Sequence, residues 1–263
     1  MLKFFNKIRY DLISENKTGK YLKYAIGEII LVMIGILLAL QVNDWNENQL
    51  DKEREQVVLT QLKVEFKANL KQLEAKMHLR GNIVSSGLLM LQKMNHPGQA
   101  ERDSVIFHLS RIIPDPTFEP IENDLISSGN IRLIRNDTLR HLLSNWSSDV
   151  KAVQEMEGIH QMQTHQILRP LLHELGITRE ILSRLWEDYD GNWMLDEYKA
   201  NTALDLGNSN MNTTVMDILS SVRLEGIISN AVSINNAGNI ESESLKNRIQ
   251  NILELIEREL KNN

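Results

Sequence analysis

No cysteine occurs among the 263 residues. That excludes disulfides, thiolate metal sites and a lipid-modified cysteine. Proline occupies only five positions and aromatic residues make up 5% of the chain. A sequence so poor in helix breakers, and rich in Leu, Ile, Glu, Lys, Asn and Gln, favours helix. Strand signals are nearly absent, and there are no internal repeats or low-complexity tracts. No Walker loop and no dinucleotide glycine pattern is present. Positive charge is in deficit, with 29 Lys and Arg against 35 Asp and Glu and a net charge of −6. Residues 1–24 hold six basic and two acidic side chains, so the acidity falls on the rest of the chain. An acidic surface argues against nucleic acid as a partner, because phosphates need cations. With 42% hydrophobic residues, the chain beyond residue 45 can still bury a core.

What is present in abundance is one apolar run, Ala25 to Val42. From Tyr24 to Trp45 the chain would make roughly 33 Å of helix, enough to cross a bilayer. Tyr24 and Trp45 stand where interfacial aromatics belong. Eleven Ile, Leu and Val residues lie between Ile26 and Val42. At roughly −0.3 to −0.6 kcal/mol each they contribute about −3 to −7 kcal/mol to insertion. Glu28, the single ionisable residue of the run, costs less than the roughly 3 kcal/mol of a central acid, because it lies one turn from the edge. It either snorkels toward Lys20 and Lys23 or pairs with a cation on a partner helix.

Lys3, Lys7, Arg9, Lys17, Lys20 and Lys23 precede the run, and only Lys52 and Arg54 occupy the twenty residues after Val42. The positive-inside rule then puts the N-terminus in the cytoplasm and the remainder outside, which in a bacterium with two membranes is the periplasm. Leu37-Leu38-Ala39-Leu40-Gln41 offers no A-x-A cleavage site, so an uncleaved signal anchor is expected. In residues 1–13, Phe4, Phe5, Ile8 and Leu12 form one helical stripe bordered by Lys3, Lys7 and Arg9. This suits either a helix lying on an anionic leaflet or a plain topogenic segment.

The run YAIGEIILVMIGILLALQVNDWNE, Tyr24 to Glu47, preceded by FFNKIR and SENKTGKYLKY, resembles the opening of an uncharacterised family of single-span membrane proteins common in Bacteroidetes bacteria. A second similarity lies at LISSGNIRLIRNDTLRHLLSNW, Leu125 to Trp146, through Ser127, Ser128, Gly129, Arg135 and Asn136. The resemblance implies an N-terminal anchor and a helical extracytoplasmic region. It implies no activity and no catalytic residue.

Beyond the span, Leu59, Leu62, Phe66, Leu70, Leu73, Met77, Val84, Leu88 and Leu91 keep helical spacing, apart from a seven-residue step across Gly81. One helix is expected over about 46–94, with Gly81 and Ser85-Ser86-Gly87 as potential kinks. Asn95-His96-Pro97-Gly98 predicts a turn, 100–113 a short helix, and Pro114, Pro116 and Pro120 an irregular connector. Helices are expected over 121–128, over 137–175 with Gly176 closing it, and from Thr178 through Tyr189. Residues 190–211 read mostly as loop. Met216, Leu219, Ile227, Ala231, Ile234, Leu245, Ile249, Ile252, Ile256 and Leu260 predict a last helix over about 213–261, weakened at Asn235 to Asn239. The two long amphipathic helices should pack together.

Gly35 and Ala39 form a small-xxx-small pair, and Gly27 extends it earlier. Such a face lets a second helix approach closely, from another copy or from a partner membrane protein. Other motifs fail on their spacing. Asp188, Asp190, Gly191 and Glu197 fit parts of a calcium loop, but Trp186 occupies its first ligand position. Glu157 and His160 make one Glu-x-x-His element, and a di-iron bundle needs two with further glutamates. His78, His96, His108, His141, His165 and His173 form no ligand set, and the histidines are expected at the surface. Ser127-Ser128-Gly129-Asn130 is not a nucleophile elbow.

The expected protein is all-α. A cytoplasmic basic segment, 1–23, precedes a transmembrane helix, 24–45, which continues into an elongated periplasmic bundle, 46–263, with a helical head over about 100–211. The cytoplasmic segment is too short for an output domain. The expected role is a non-enzymatic scaffold or accessory subunit of an inner-membrane assembly, with no cofactor and no metal. The alternative is a sensor-like domain that binds a small ligand between helices and signals through a partner.

Overall fold

The computed structural model describes residues 18–121, 130–187, 204, 206, 207 and 209–262. These residues form helices and no strand. The N-terminal stripe Phe4 to Leu12, residues 122–128 of the helix expected at 121–128, the Ser127-Ser128-Gly129 segment and the acidic turn from Asp188 to Glu197 lie outside the described residues.

The first helix, α1, runs from Thr18 to Asn95. Contacts divide the chain into two units, Met1–Val57 and Val58–Asn263. In the first unit α1 needs no neighbour for its backbone, since every interior N–H and C=O bonds along the helix. Its apolar side chains are covered by nothing: Leu31 is 66% exposed and Val42 65%. This helix is long and apolar enough to cross a membrane.

The second unit takes α1 from Val58 onward and packs it against α2 (Arg102–Ile112), α3 (Asp137–Gln163), α4 (Arg169–Glu174), α5 (Thr178–Glu187), α6 (Val215–Leu219) and α7 (Val222–Asn262). Its core has two apolar clusters. One joins Leu59, Leu62, Phe66 and Leu73 of α1 to Leu143, Trp146 and Val150 of α3 and to Leu245, Ile249 and Ile256 of α7. The other joins Ile83 and Met90 of α1 to α2, to Leu168 through Ile181, and to Leu224, Ile228 and Ala231 of α7. Early α1 therefore meets late α7 and late α1 meets early α7, so the two long helices are antiparallel. Lys63–Glu257 and Lys246–Glu74 ion pairs, each 2.9 Å, follow the same register.

Several boundaries differ from the sequence reading, each for a local reason. The segment from Ser85 to Gly87 does not interrupt α1, nor does Gly81. The helix expected over 137–175 opens into a π turn at Thr164–Leu168, where the Arg169 N–H reaches the Thr164 carbonyl. Pro170 follows, without an N–H and with a ring that crowds the preceding turn, and the wider turn accommodates it. Gly176, at φ +67°, then ends α4. The Ile177 N–H reaches the Leu172 carbonyl (3.2 Å) and the Gly176 N–H that of His173 (3.0 Å). This closing pattern needs the left-handed residue that glycine supplies. Thr178 opens α5 as the sequence reading has it, but its buried hydroxyl makes no hydrogen bond and so does not cap the helix. The last helix breaks at Ser220-Ser221 rather than at Asn235–Asn239. Thr214 and Asp217 form a reciprocal capping box on α6, and the Ser221 hydroxyl accepts from the Leu224 N–H (3.3 Å) to start α7.

Candidate functional site

Two arrangements of residues stand out, one in each unit. In the first, Gly35 and Ala39 share a face of α1. A Cβ placed on Gly27 or Gly35 would meet no atom within 4 Å, so the backbone there is open to close approach. Eight residues separate Gly27 from Gly35, which sets Gly27 about 80° round the helix, at the margin of that face. Glu28 is half-buried and Trp45 is 70% exposed. Tyr24 belongs to α1, and its side chain lies outside the described residues.

The second arrangement is a charged layer between the two apolar clusters, which the sequence pattern does not disclose. Arg80 is 1% exposed. Its guanidinium pairs with Glu157 of α3, and its Nη1 also donates to the Pro116 carbonyl (3.3 Å). Its Nε donates to Asn239 Oδ1 (2.9 Å) and its Nη2 to Ser242 Oγ (2.6 Å), both on α7. The other Glu157 oxygen accepts from the Phe118 N–H (2.9 Å). Arg80 thus ties α1, α3, α7 and the connector together. Burial pushes the Glu157 carboxyl above its usual range and the Arg80 guanidinium below its own. A guanidinium starts so high that it remains charged.

The connector from Pro114 to Ile121 is an extended strap, and its prolines keep it out of helix. Side chains satisfy several of its backbone polar groups. Beyond Pro116 and Phe118, the Phe118 carbonyl accepts from Gln154 Nε2 (3.1 Å). The Asn69 amide exchanges two bonds with Ile121, donating to its carbonyl (3.1 Å) and accepting from its N–H (2.7 Å). The Pro114 carbonyl lies 3.3 Å from His160 Nε2.

His160 corrects the expectation of surface histidines: it is 1% exposed. Its Nδ1 lies 2.9 Å from Asn235 Nδ2, which also donates to the Ala231 carbonyl (2.9 Å). His78, His96, His141, His165 and His173 are exposed or half-buried, and His108 is half-buried. Glu157 and His160, the residues of the Glu-x-x-His element, point to different partners. Among the described residues no group of three or more His, Asp and Glu is placed to hold a metal.

The layer explains why Asn235–Asn239 stays helical. Asn235 and Asn239 bond across the core, and Gly238 makes room for Arg80, whose Cδ would lie 3.4 Å from a Cβ there. It also moves the core face of α1. The buried positions from Leu73 on are Leu79, Arg80, Ile83, Ser86, Gly87 and Met90, while Val84 is half-buried and Leu88 is 54% exposed. A signal was available: the seven-residue step from Met77 to Val84 coincides with Arg80, and Asn-Asn-Ala-Gly-Asn interrupts the apolar period of the last helix at the antiparallel level.

A family of unknown function, DUF6090, matches residues 28–95. The matched range covers α1 from Glu28 to its last residue and so includes Gly35, Ala39, Trp45 and Arg80, but not Glu157 or His160. The segment from Leu125 to Trp146 lies outside it. No curated protein and no solved structure matches the chain.

Proposed function

We propose that this chain is a membrane-anchored, non-enzymatic protein, a scaffold or accessory subunit of an inner-membrane assembly. Its N-terminal residues lie in the cytoplasm and its helical domain, from residue 46, in the periplasm. One observation carries the reading. The apolar side chains from Ile26 to Val42 stand exposed along α1, so the protein supplies no core for them and a bilayer is the solvent that fits. The excess of Lys and Arg before Tyr24 supports the orientation. The open face at Gly35 and Ala39 supports a helix–helix contact, with a second copy or with a partner membrane protein. Within the domain, Arg80, Glu157 and His160 are each engaged with other helices or the strap, which supports a holding role rather than chemistry.

Protease added to intact spheroplasts should digest the domain, and alkaline carbonate should leave the protein in the membrane. Protection of the domain, or release by carbonate, refutes the topology. Affinity purification from native membranes, with crosslinking of wild type and Gly35→Leu, tests assembly. Loss of a crosslinked species in the variant is expected, and unchanged crosslinks count against that face. A small-molecule stabiliser of the domain would turn the reading toward a sensor.

A further inference from the structure

We infer that the His160 layer is an acid-sensitive clasp: a proton gained by the imidazole loosens α7 from α3. The geometry specifies a neutral ring. The Asn235 amide nitrogen faces both His160 Nδ1 and the Ala231 carbonyl at 2.9 Å, so its two hydrogens are directed at two acceptors. Nδ1 is therefore the unprotonated nitrogen, and the Nε2 hydrogen is left for the Pro114 carbonyl at 3.3 Å, with Thr164 Oγ1 at 3.4 Å. A second ring proton would set an N–H against the Asn235 NH₂. Turning the amide over would instead oppose its oxygen to the Ala231 carbonyl. Either arrangement leaves a buried polar group mispaired beside a buried charge.

The charged surroundings do not cancel this. At this layer α1 brings Arg80, with Lys76 beside it. The strap brings Asp115 and, near Lys76, Glu119; α3 brings Glu157, the π turn brings His165, and α7 brings the uncharged Asn235, Asn239 and Ser242. Burial, the largest influence, holds the ring below its usual 6.5; the Pro114 carbonyl and Asp115 favour a proton on His160, and Arg80 and His165 oppose it. A base depressed in the folded state supports folding above its unfolded value and loses that support as pH falls from there toward the folded value. Glu157, raised by burial, works in the opposite sense. A variant difference therefore isolates the histidine.

The test is hydrogen exchange of the full chain in lipid nanodiscs between pH 7.5 and 5, corrected for intrinsic rates and read on α7 peptides covering 231–242. In wild type, opening of this part of α7 should rise below about pH 6.5, by up to tenfold per pH unit. In His160→Gln that rise should be lost. A flat wild type, or an equal slope in His160→Gln, overturns the inference. If that variant fails to fold, Asn235→Asp decides. It puts a carboxylate at Nδ1, so the His160 ring, followed by NMR, should titrate above its value in wild type. A wild-type ring that titrates at or above 6.5, or one unmoved by Asn235→Asp, also overturns it.

Discussion

Replacing Arg80 by Met tests the reading of the domain core most directly. The methionine fills much of the same tunnel beside Gly238 but removes the guanidinium. Glu157 then keeps the Phe118 N–H and loses its cation, while the Pro116 carbonyl and Asn239 Oδ1 lose their donor. Removing one member of a buried pair costs about 3–5 kcal/mol, because a desolvated charge is left without compensation. Against a total stability of about 5–15 kcal/mol this is a large fraction. With a urea slope of about 2 kcal/mol per molar, the unfolding midpoint should fall by about 1.5–2.5 M. Circular dichroism of the full chain in mild detergent reads it. The penalty should shrink as pH falls, because the raised Glu157 carboxyl takes a proton and stops being a buried charge. The double variant Arg80→Met, Glu157→Leu should recover much of the loss, since an apolar layer replaces the whole pair. A single variant losing under about 1 kcal/mol, or a double variant as unstable as the sum of the singles, would refute the account of this layer.

Three further substitutions separate packing from propensity. Gly81→Ala should stabilise the domain by about 0.5–1 kcal/mol, because an added Cβ meets nothing within 4 Å and alanine is the better helix former. Gly87→Leu should destabilise by about 1–3 kcal/mol, because even its Cβ would sit 2.4 Å from Val232 Cγ2 on α7; equal melting temperatures for the two variants would contradict the α1–α7 packing. Asn69→Ala leaves the Ile121 N–H and carbonyl without their shared partner and should cost about 1–3 kcal/mol. Its signature is faster exchange at Ile121, and an unchanged Ile121 amide would count against the strap.

The helices are legible wherever one physical signal decides them. The period of Leu59, Leu62, Phe66 and Leu73 marks the first long helix and that of Leu245, Ile249, Ile252 and Ile256 the last, because burial on one face imposes spacing. The same period selects Val84 and Leu88 as core, and the structure buries Arg80, Ile83 and Gly87 instead. Hydrophobicity cannot mark a face whose occupant is a guanidinium. His160 escapes detection for the same reason: in sequence, Glu157-x-x-His160 is half of a metal element and nothing more. The partners that bury the two residues, Arg80 and Asn235, lie 77 and 75 residues away.

Sequence alone determined the helical class and the membrane-length apolar segment, because both follow from local composition: sparse breakers and an uninterrupted run of Ile, Leu and Val. It also placed most turns, where proline and glycine restrict the backbone by themselves. Tertiary structure alone decided where the charges go. Whether an arginine faces water or a core depends on what stands opposite it, and that is set by how α3, α7 and the strap meet α1.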